Sequence, residues 1–264
     1  MKLALCVATM QPGVSIINSF DAMRVGIDEI IDKTAQFPGE ISTWTTHAQN
    51  LMPVYIQRNT AESNLGVVKS YQQLFLSSVV DEDILVYTHD DVIMRERGWD
   101  ARLTKEFEDQ HVGVVGFGGA KRHGSPDLYK VPYRLQQLAR SGYLSNVDDA
   151  DDHGTRFTEA TDVAVLDGFV LAVRRELLVR AGGWPDIPGG FHTYDYAICA
   201  LAHRYGYRVR VVGIRAHHCG GRTSTTQEYQ QWAEKKGMSD QTAHEKAHRW
   251  FYENYRDVLP WVCE

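Results

Sequence analysis

The chain has 264 residues, 43% apolar and 23% charged, and its formal charge is 28 − 34 = −6. This is ordinary globular composition for one large or two small domains, and the acidic balance excludes a global basic field that would draw nucleic acid or anionic lipid. No stretch approaches the run of about 20 apolar residues that a bilayer-spanning helix needs, and there is no internal repeat or low-complexity segment.

Leu3 to Thr9 reads as a first core strand, too short and too poorly flanked for a leader, with Gln11-Pro12-Gly13 turning the chain out of it. Ile16, Phe20, Met23, Ile27 and Ile30 recur at helical spacing, and strands are predicted at Ile41 to Thr46 and Val54 to Gln57. Strand, helix, strand is the pattern of a parallel crossover, so the fold class is α/β. Asn64 is placed to cap a helix whose buried face is Leu65, Val68, Tyr71, Phe75 and Val79. It leads to Ile84-Leu85-Val86-Tyr87-Thr88, an apolar run expected to be buried on both faces, which ends abruptly in His89-Asp90-Asp91.

Trp99, Leu103 and Phe107 mark another helix, and Val112 to Phe117 a strand closed by Gly118-Gly119. From Ala120 to Thr161 the periodicity dissolves into a polar excursion with Pro126, Pro132 and the acidic run Asp148, Asp149, Asp151, Asp152, which reads as loop. Strands return at Val163 to Leu166 and Phe169 to Val173, then a helix from Arg174 to Ala181 stopped by Gly182-Gly183. Ile198, Ala202 and Tyr205 give a further helix, followed by a strand from Tyr207 to Ile214 that leads to His217-His218. Two helices, Thr226 to Lys236 and Ser239 to about Val258, finish the chain; the latter turns Ala243, Ala247, Trp250, Phe251 and Tyr255 to one face. The four cysteines, Cys6, Cys199, Cys219 and Cys263, are dispersed without zinc spacing, so reduced thiols in a cytoplasmic protein are expected.

Three features carry chemistry. Adjacent carboxylates at a strand end repel, and a cation, solvent or hydrogen bonds from a following helix relieve them, so His89-Asp90-Asp91 reads either as a divalent-metal site or as a helix cap with a solvated neighbour. His217-His218 follows a strand in the same way and reads either as two solvated or hydrogen-bonded histidines or, with aspartate, as a mixed N/O metal site toward which strand alternation directs one of the two. Asp195 stands at a helix start, where N-capping explains it without function, yet Gly189-Gly190-Phe191-His192-Thr193-Tyr194 before it is less readily explained by capping.

In combination these residues resemble a known family. Asn64 to Tyr71, Asp83 to Val92 and Val112 to Gly116, followed by Leu166-Asp167-Gly168-Phe169, Arg174 to Leu177, Gly182-Gly183-Trp184, Phe191 to Tyr196 and His217-His218, recur in the order used by family-2-like glycosyltransferases of the GT-A fold. The resemblance spans Met1 to about Arg222. It implies a Rossmann-like, mostly parallel sheet flanked by helices. It implies that residues 1–222 form the GT-A domain, split into a nucleotide-sugar-binding half (1–119) and an acceptor-binding half (120–222), with residues 223–264 as a helical extension. It implies Asp91 as the last aspartate of a DxD motif, ligating a metal, Mn²⁺ before Mg²⁺, with one of His217 and His218. His89 and Asp90 are expected at the ribose or a metal-bound water, with Thr9, Arg58, Lys69 and Arg222 completing the donor-binding set. Asp195 falls at the base of inverting members, and Asp167, Gly168, Trp184 and His192 at the acceptor.

Histidine in place of the first DxD aspartate departs from the pattern, as does Thr45-Thr46-His47-Ala48, where acidic residues usually read the nucleobase. The donor is therefore expected as a UDP- or GDP-sugar. The acceptor is a saccharide by default, with a modified DNA base or a protein as alternatives. Competing functions are a nucleotidyltransferase, disfavoured because the first strand lacks a Gly-rich phosphate loop, and a non-catalytic nucleotide- or glycan-binding module.

Overall fold

The computed structural model describes residues 1–10, 41–47, 51–60, 62–78, 80–96, 98–124, 140–148, 154–218, 227–235, 237, 239–259 and 261–263. The predicted helix at residues 16–30, Cys219 and Arg222 lie outside them. In chain order the elements are β1 (Leu3–Thr9), β2 (Ile41–His47), β3 (Leu51–Arg58), α1 (Gly66–Ser77), β4 (Ile84–Thr88), β5 (Val92–Met94), α2 (Trp99–Glu106), β6 (Val112–Gly116) and β7 (Gly118–His123). There follow β8 (Ser141–Ser145), β9 (Val147–Asp148), β10 (Thr161–Asp162), β11 (Val165–Leu166), β12 (Val170–Arg174), α3 (Arg175–Ala181), α4 (Tyr194–Arg204), β13 (Arg208–Val211), β14 (Ala216–His218), α5 (Gln227–Lys235), α6 (Asp240–Tyr255) and β15 (Trp261–Val262).

Eight strands form the main sheet in the order β10-β13-β6-β12-β4-β1-β3-β2. Strands β13, β6, β4, β1 and β3 share one direction, while β10, β12 and β2 oppose it. Along β1 and β4 successive side chains enter opposite cores. Ala4, Cys6, Leu85 and Tyr87 join one buried cluster; Leu3, Leu5, Val7, Ile84 and Val86 join the other. Burial on both faces explains why these strands read as unbroken apolar runs. The first cluster also takes in Ala247, Phe251, Tyr252 and Tyr255 of α6.

Several expectations need correction. The parallel neighbours of β1 are β3 and β4; β2 is an antiparallel edge strand on β3, so the first crossover reaches the third strand and not the second. Gly118-Gly119 does not close β6 but begins β7, and the predicted loop after it holds β7, β8 and β9, with β7 carrying β8, β11 and β15. Glycine is required there for packing: a Cβ on Gly118 would fall 2.4 Å from the Tyr143 hydroxyl, and one on Gly119 2.8 Å from the Val165 carbonyl. His217-His218 belongs to β14 in a separate three-stranded sheet, β5-β14-β9, and not to the end of β13. Asn64 is not the cap residue of α1, which is Leu65, but its Oδ1 accepts from the Gly66 N–H at 2.9 Å; Leu65 itself is exposed.

Candidate functional site

The site lies where β4 and β1 end and β12 begins, because β12 runs antiparallel to β4. The backbone N–H of His89 donates to the Phe169 carbonyl at 2.9 Å, which brings Asp167-Gly168 beside His89-Asp90-Asp91. Thr9, at the end of β1, donates its hydroxyl to the Asp90 carboxylate, so Asp90 is held by the neighbouring strand.

Register decides which histidine joins the cluster. In the β5–β14 pair His218 stands opposite Val92, the residue after Asp91, while His217 stands opposite Ile93 on the other face. His218 Nε2 lies 3.4 Å from Asp91 Oδ1, and the imidazole stacks on Phe169 with ring centres 5.0 Å apart. His89 Nδ1 lies 4.0 Å from the same oxygen, and its Nε2 is 2.6 Å from the Tyr194 hydroxyl. His89, Asp91 and His218 each present one ligand atom within 4.8 Å of the others, the kind of mixed N/O donor set that holds a divalent ion. One further observation fits such an ion: Asp91 Oδ1 is buried without a hydrogen bond of good geometry, although it faces both imidazoles. Burial works against the Asp91 carboxylate, but the close approach and charge of His218 hold its pKa below the ordinary value. Burial drives His89 down to about 4, so it is neutral near pH 7.

A second carboxylate behaves in the opposite way. Asp195 is in the first turn of α4 and is not its cap, which is Thr193; its Oδ1 accepts the Tyr196 N–H at 2.9 Å. Burial, with the charge of Asp167 added to it, pushes the Asp195 pKa up to about 7. Thr193 has φ 61, a left-handed conformation that a β-branched residue adopts only when the surroundings impose it, at a cost of order 1–3 kcal/mol. That turn sets Tyr194 and Asp195 into the cleft. Gly168 gives them room, because a Cβ there would meet the Tyr194 hydroxyl at 2.2 Å. Asp167 accepts from the Tyr143 hydroxyl at 3.1 Å and faces Arg140 at 3.8 Å, and the Arg140 guanidinium lies over the rings of Tyr143 and Tyr196.

The structure thus brings together Thr9, His89, Asp90, Asp91, Asp167, Gly168, Asp195 and His218. Arg58 ends β3, the strand beside β1, and Lys69 is exposed on α1. Trp184 is no open wall: it is 6% exposed and packs against Tyr71 and Tyr87 at 5.2 and 4.8 Å beneath the cleft. The His192 ring packs, tilted, against His244 of α6 with centroids 4.3 Å apart. Sequence reading missed Tyr194, Arg140 and Tyr143. Tyr194 adjoins Asp195 and was within reach of it, whereas Arg140 and Tyr143 stand in the stretch read as loop. A separate cavity of about 720 Å³ opens at the opposite sheet edge, beside Phe107, His111, Arg174 and Tyr207. There the Arg174 guanidinium donates to the carbonyls of Phe107, Asp109 and Val112.

Residues 59–255 match the sequence profile of the glycosyltransferase-like family. Among solved structures, GalNAc-T7 with UDP, GalNAc and Mn²⁺ aligns over 98% of this chain and 57% of its own, with 10% identity and a TM-score of 0.51. The likeness is one of fold and agrees with the GT-A arrangement expected from the sequence. A mannosyltransferase from Pyrobaculum calidifontis in complex with GDP-Man and Mn²⁺ aligns over 95% of this chain and 69% of its own, with 17% identity and a TM-score of 0.47. No curated protein matches the chain in sequence. No helix among the described residues is long and apolar enough to cross a membrane.

Proposed function

The chain belongs to the glycosyltransferase-like family, and from that membership we propose that it transfers a sugar from a nucleotide-sugar donor to an acceptor hydroxyl, with inversion and with a divalent ion in the cleft. The observation that carries this reading is the pairing, at one sheet edge, of an ionised carboxylate flanked by two imidazoles with a partly buried carboxylate whose pKa is raised to about 7. Asp91 and His218 would hold the ion, Mn²⁺ before Mg²⁺. When bound, such an ion neutralises charge on the leaving diphosphate, so that no acid is needed for that group.

The chain's own residues do the rest. Thr9 and Asp90 form the donor-side wall with β1. Asp195, poised near neutral pH, takes the proton of the acceptor hydroxyl as it attacks, a step worth about 10² to 10⁴ in rate. Asp167, held by Tyr143 and Arg140, accepts hydrogen bonds from the acceptor. Residues 1–119 serve the donor and 120–222 the acceptor, with 223–264 buttressing the acceptor side through α6 and His192. The donor is a UDP- or GDP-sugar and the acceptor a saccharide.

Donor turnover in the presence of Mn²⁺ and its loss in Asp195→Asn, with donor binding retained, test the assignment. A binding module would show no turnover in either chain. Unchanged turnover in the variant would remove Asp195 from the mechanism.

A further inference from the structure

We infer that His89 is itself a ligand of the ion site and that Tyr194 is the positioning residue which makes it one, by accepting a hydrogen bond from the proton of its Nε2. The inference rests on the metal-dependent reading above and deepens it at the position where this chain departs from a DxD motif.

A neutral imidazole carries one proton, and only the unprotonated nitrogen donates a lone pair to a metal. In His89 the two nitrogens face different partners: Nε2 is 2.6 Å from the Tyr194 hydroxyl, and Nδ1 is 4.0 Å from Asp91 Oδ1. With the proton on Nε2, that nitrogen donates to the Tyr194 oxygen and Nδ1 presents its lone pair to the cluster it shares with Asp91 and His218. The other tautomer would put a proton between Nδ1 and Asp91 and remove one of three donors. Metal-ligating histidines gain orientation and basicity from a partner on the second nitrogen in this way.

Tyr194 is well placed for the task. It is buried, edge-on to Tyr71 with ring centres 5.7 Å apart, and packed against Trp184 at 6.4 Å. Gly168 leaves room for its hydroxyl, since a Cβ there would meet it at 2.2 Å. Because Tyr194 immediately precedes Asp195 in α4, the contact that orders the ion site also orders the helix turn bearing the base. An aspartate at position 89 would need no such partner, since both carboxylate oxygens are acceptors.

The test is a Mn²⁺ titration of the full chain, followed by loss of the free-ion electron paramagnetic resonance signal, in wild type, Tyr194→Phe, His89→Asp and the double variant. We expect Tyr194→Phe to weaken Mn²⁺ binding about 10-fold or more in the His89 background and by less than about twofold in the His89→Asp background. An equal penalty in both backgrounds, or none in either, overturns the inference. Nitrogen-15 spectra of histidine-labelled wild type supply a reading that needs no variant to fold: His89 protonated on Nε2 supports the assignment, and protonation on Nδ1 sinks it. If wild type takes up no Mn²⁺, the metal reading itself fails and this inference falls with it; uptake by wild type with unaltered uptake by Tyr194→Phe removes this inference alone.

Discussion

Two partly buried carboxylates at one sheet edge titrate in opposite directions. Asp91, at the end of β4, is desolvated, yet the imidazole of His218 holds its pKa below the ordinary value; Asp195, at the start of α4, is pushed up to about 7 by burial and by Asp167, against the smaller opposing pull of a backbone amide and Arg140. The difference lies in company and not in depth. A carboxylate surrounded by nitrogen donors stays charged and suits a cation. One surrounded by aromatic rings and another acid holds its proton until near neutrality and suits general-base work.

The strongest way to break this contrast is to remove the charged member. Asp91→Asn should abolish Mn²⁺ uptake and lower transfer about 10⁴-fold, since the electrostatic stabilisation at stake is several kcal/mol. Retained Mn²⁺ affinity would move the ion site elsewhere. Asp195→Asn should lower transfer about 10³-fold while the donor dissociation constant measured by calorimetry stays unchanged. A parallel loss of donor binding would assign Asp195 to the donor.

The pH profile sharpens the contrast further. A base works only when deprotonated, so kcat/KM should fall about tenfold per pH unit below pH 7 and level off above it. A rate that is flat from pH 5 to 8 would contradict the role of Asp195. Arg140 opposes the upward shift of Asp195, and its removal in Arg140→Met should raise the apparent pKa of this limb and cost roughly three- to tenfold in rate at pH 7.

Stability provides the most diagnostic sign. For Asp195 the folded pKa exceeds the unfolded one, so between about pH 4 and 7 the unfolded chain releases a proton that the folded chain keeps, and stability falls as pH rises. Asp91 works the other way: its contribution is present above the ordinary carboxylate pKa and is lost as pH falls through the lowered folded value. Asp195→Asn should therefore stabilise the fold by about 1–3 kcal/mol at pH 8 and by little at pH 4, readable in urea melts. A destabilised variant at pH 8 would mean that the carboxylate is there for the fold.

Much of this site was legible in the sequence, for physical reasons. Strands β1 and β4 are buried on both faces, so their bounds and the abrupt His89-Asp90-Asp91 terminus stand out against apolar neighbours. Alternation said that one of His217 and His218 would face the cluster; only the β5–β14 register could say that it is His218. The stretch from Gly118 to Ser145 was opaque because its strands are short, glycine-bearing and partly polar, and glycine there answers to the close approach of Tyr143 and Val165 rather than to a turn. Arg140 was hidden by the same stretch. The direction of β12, which brings Asp167-Gly168 to the end of β4, follows from pairing and leaves no mark on its own residues.

The central claim is that this edge binds a nucleotide sugar together with a divalent ion. Its most direct test is the thermal midpoint of the full chain against a panel of UDP- and GDP-sugars, with and without Mn²⁺. We expect one nucleotide class, at about 100 times its dissociation constant, to raise the midpoint by roughly 5–10 °C with Mn²⁺ and by far less without it. If no nucleotide or nucleotide sugar moves the midpoint under any metal condition, the proposed donor site does not exist.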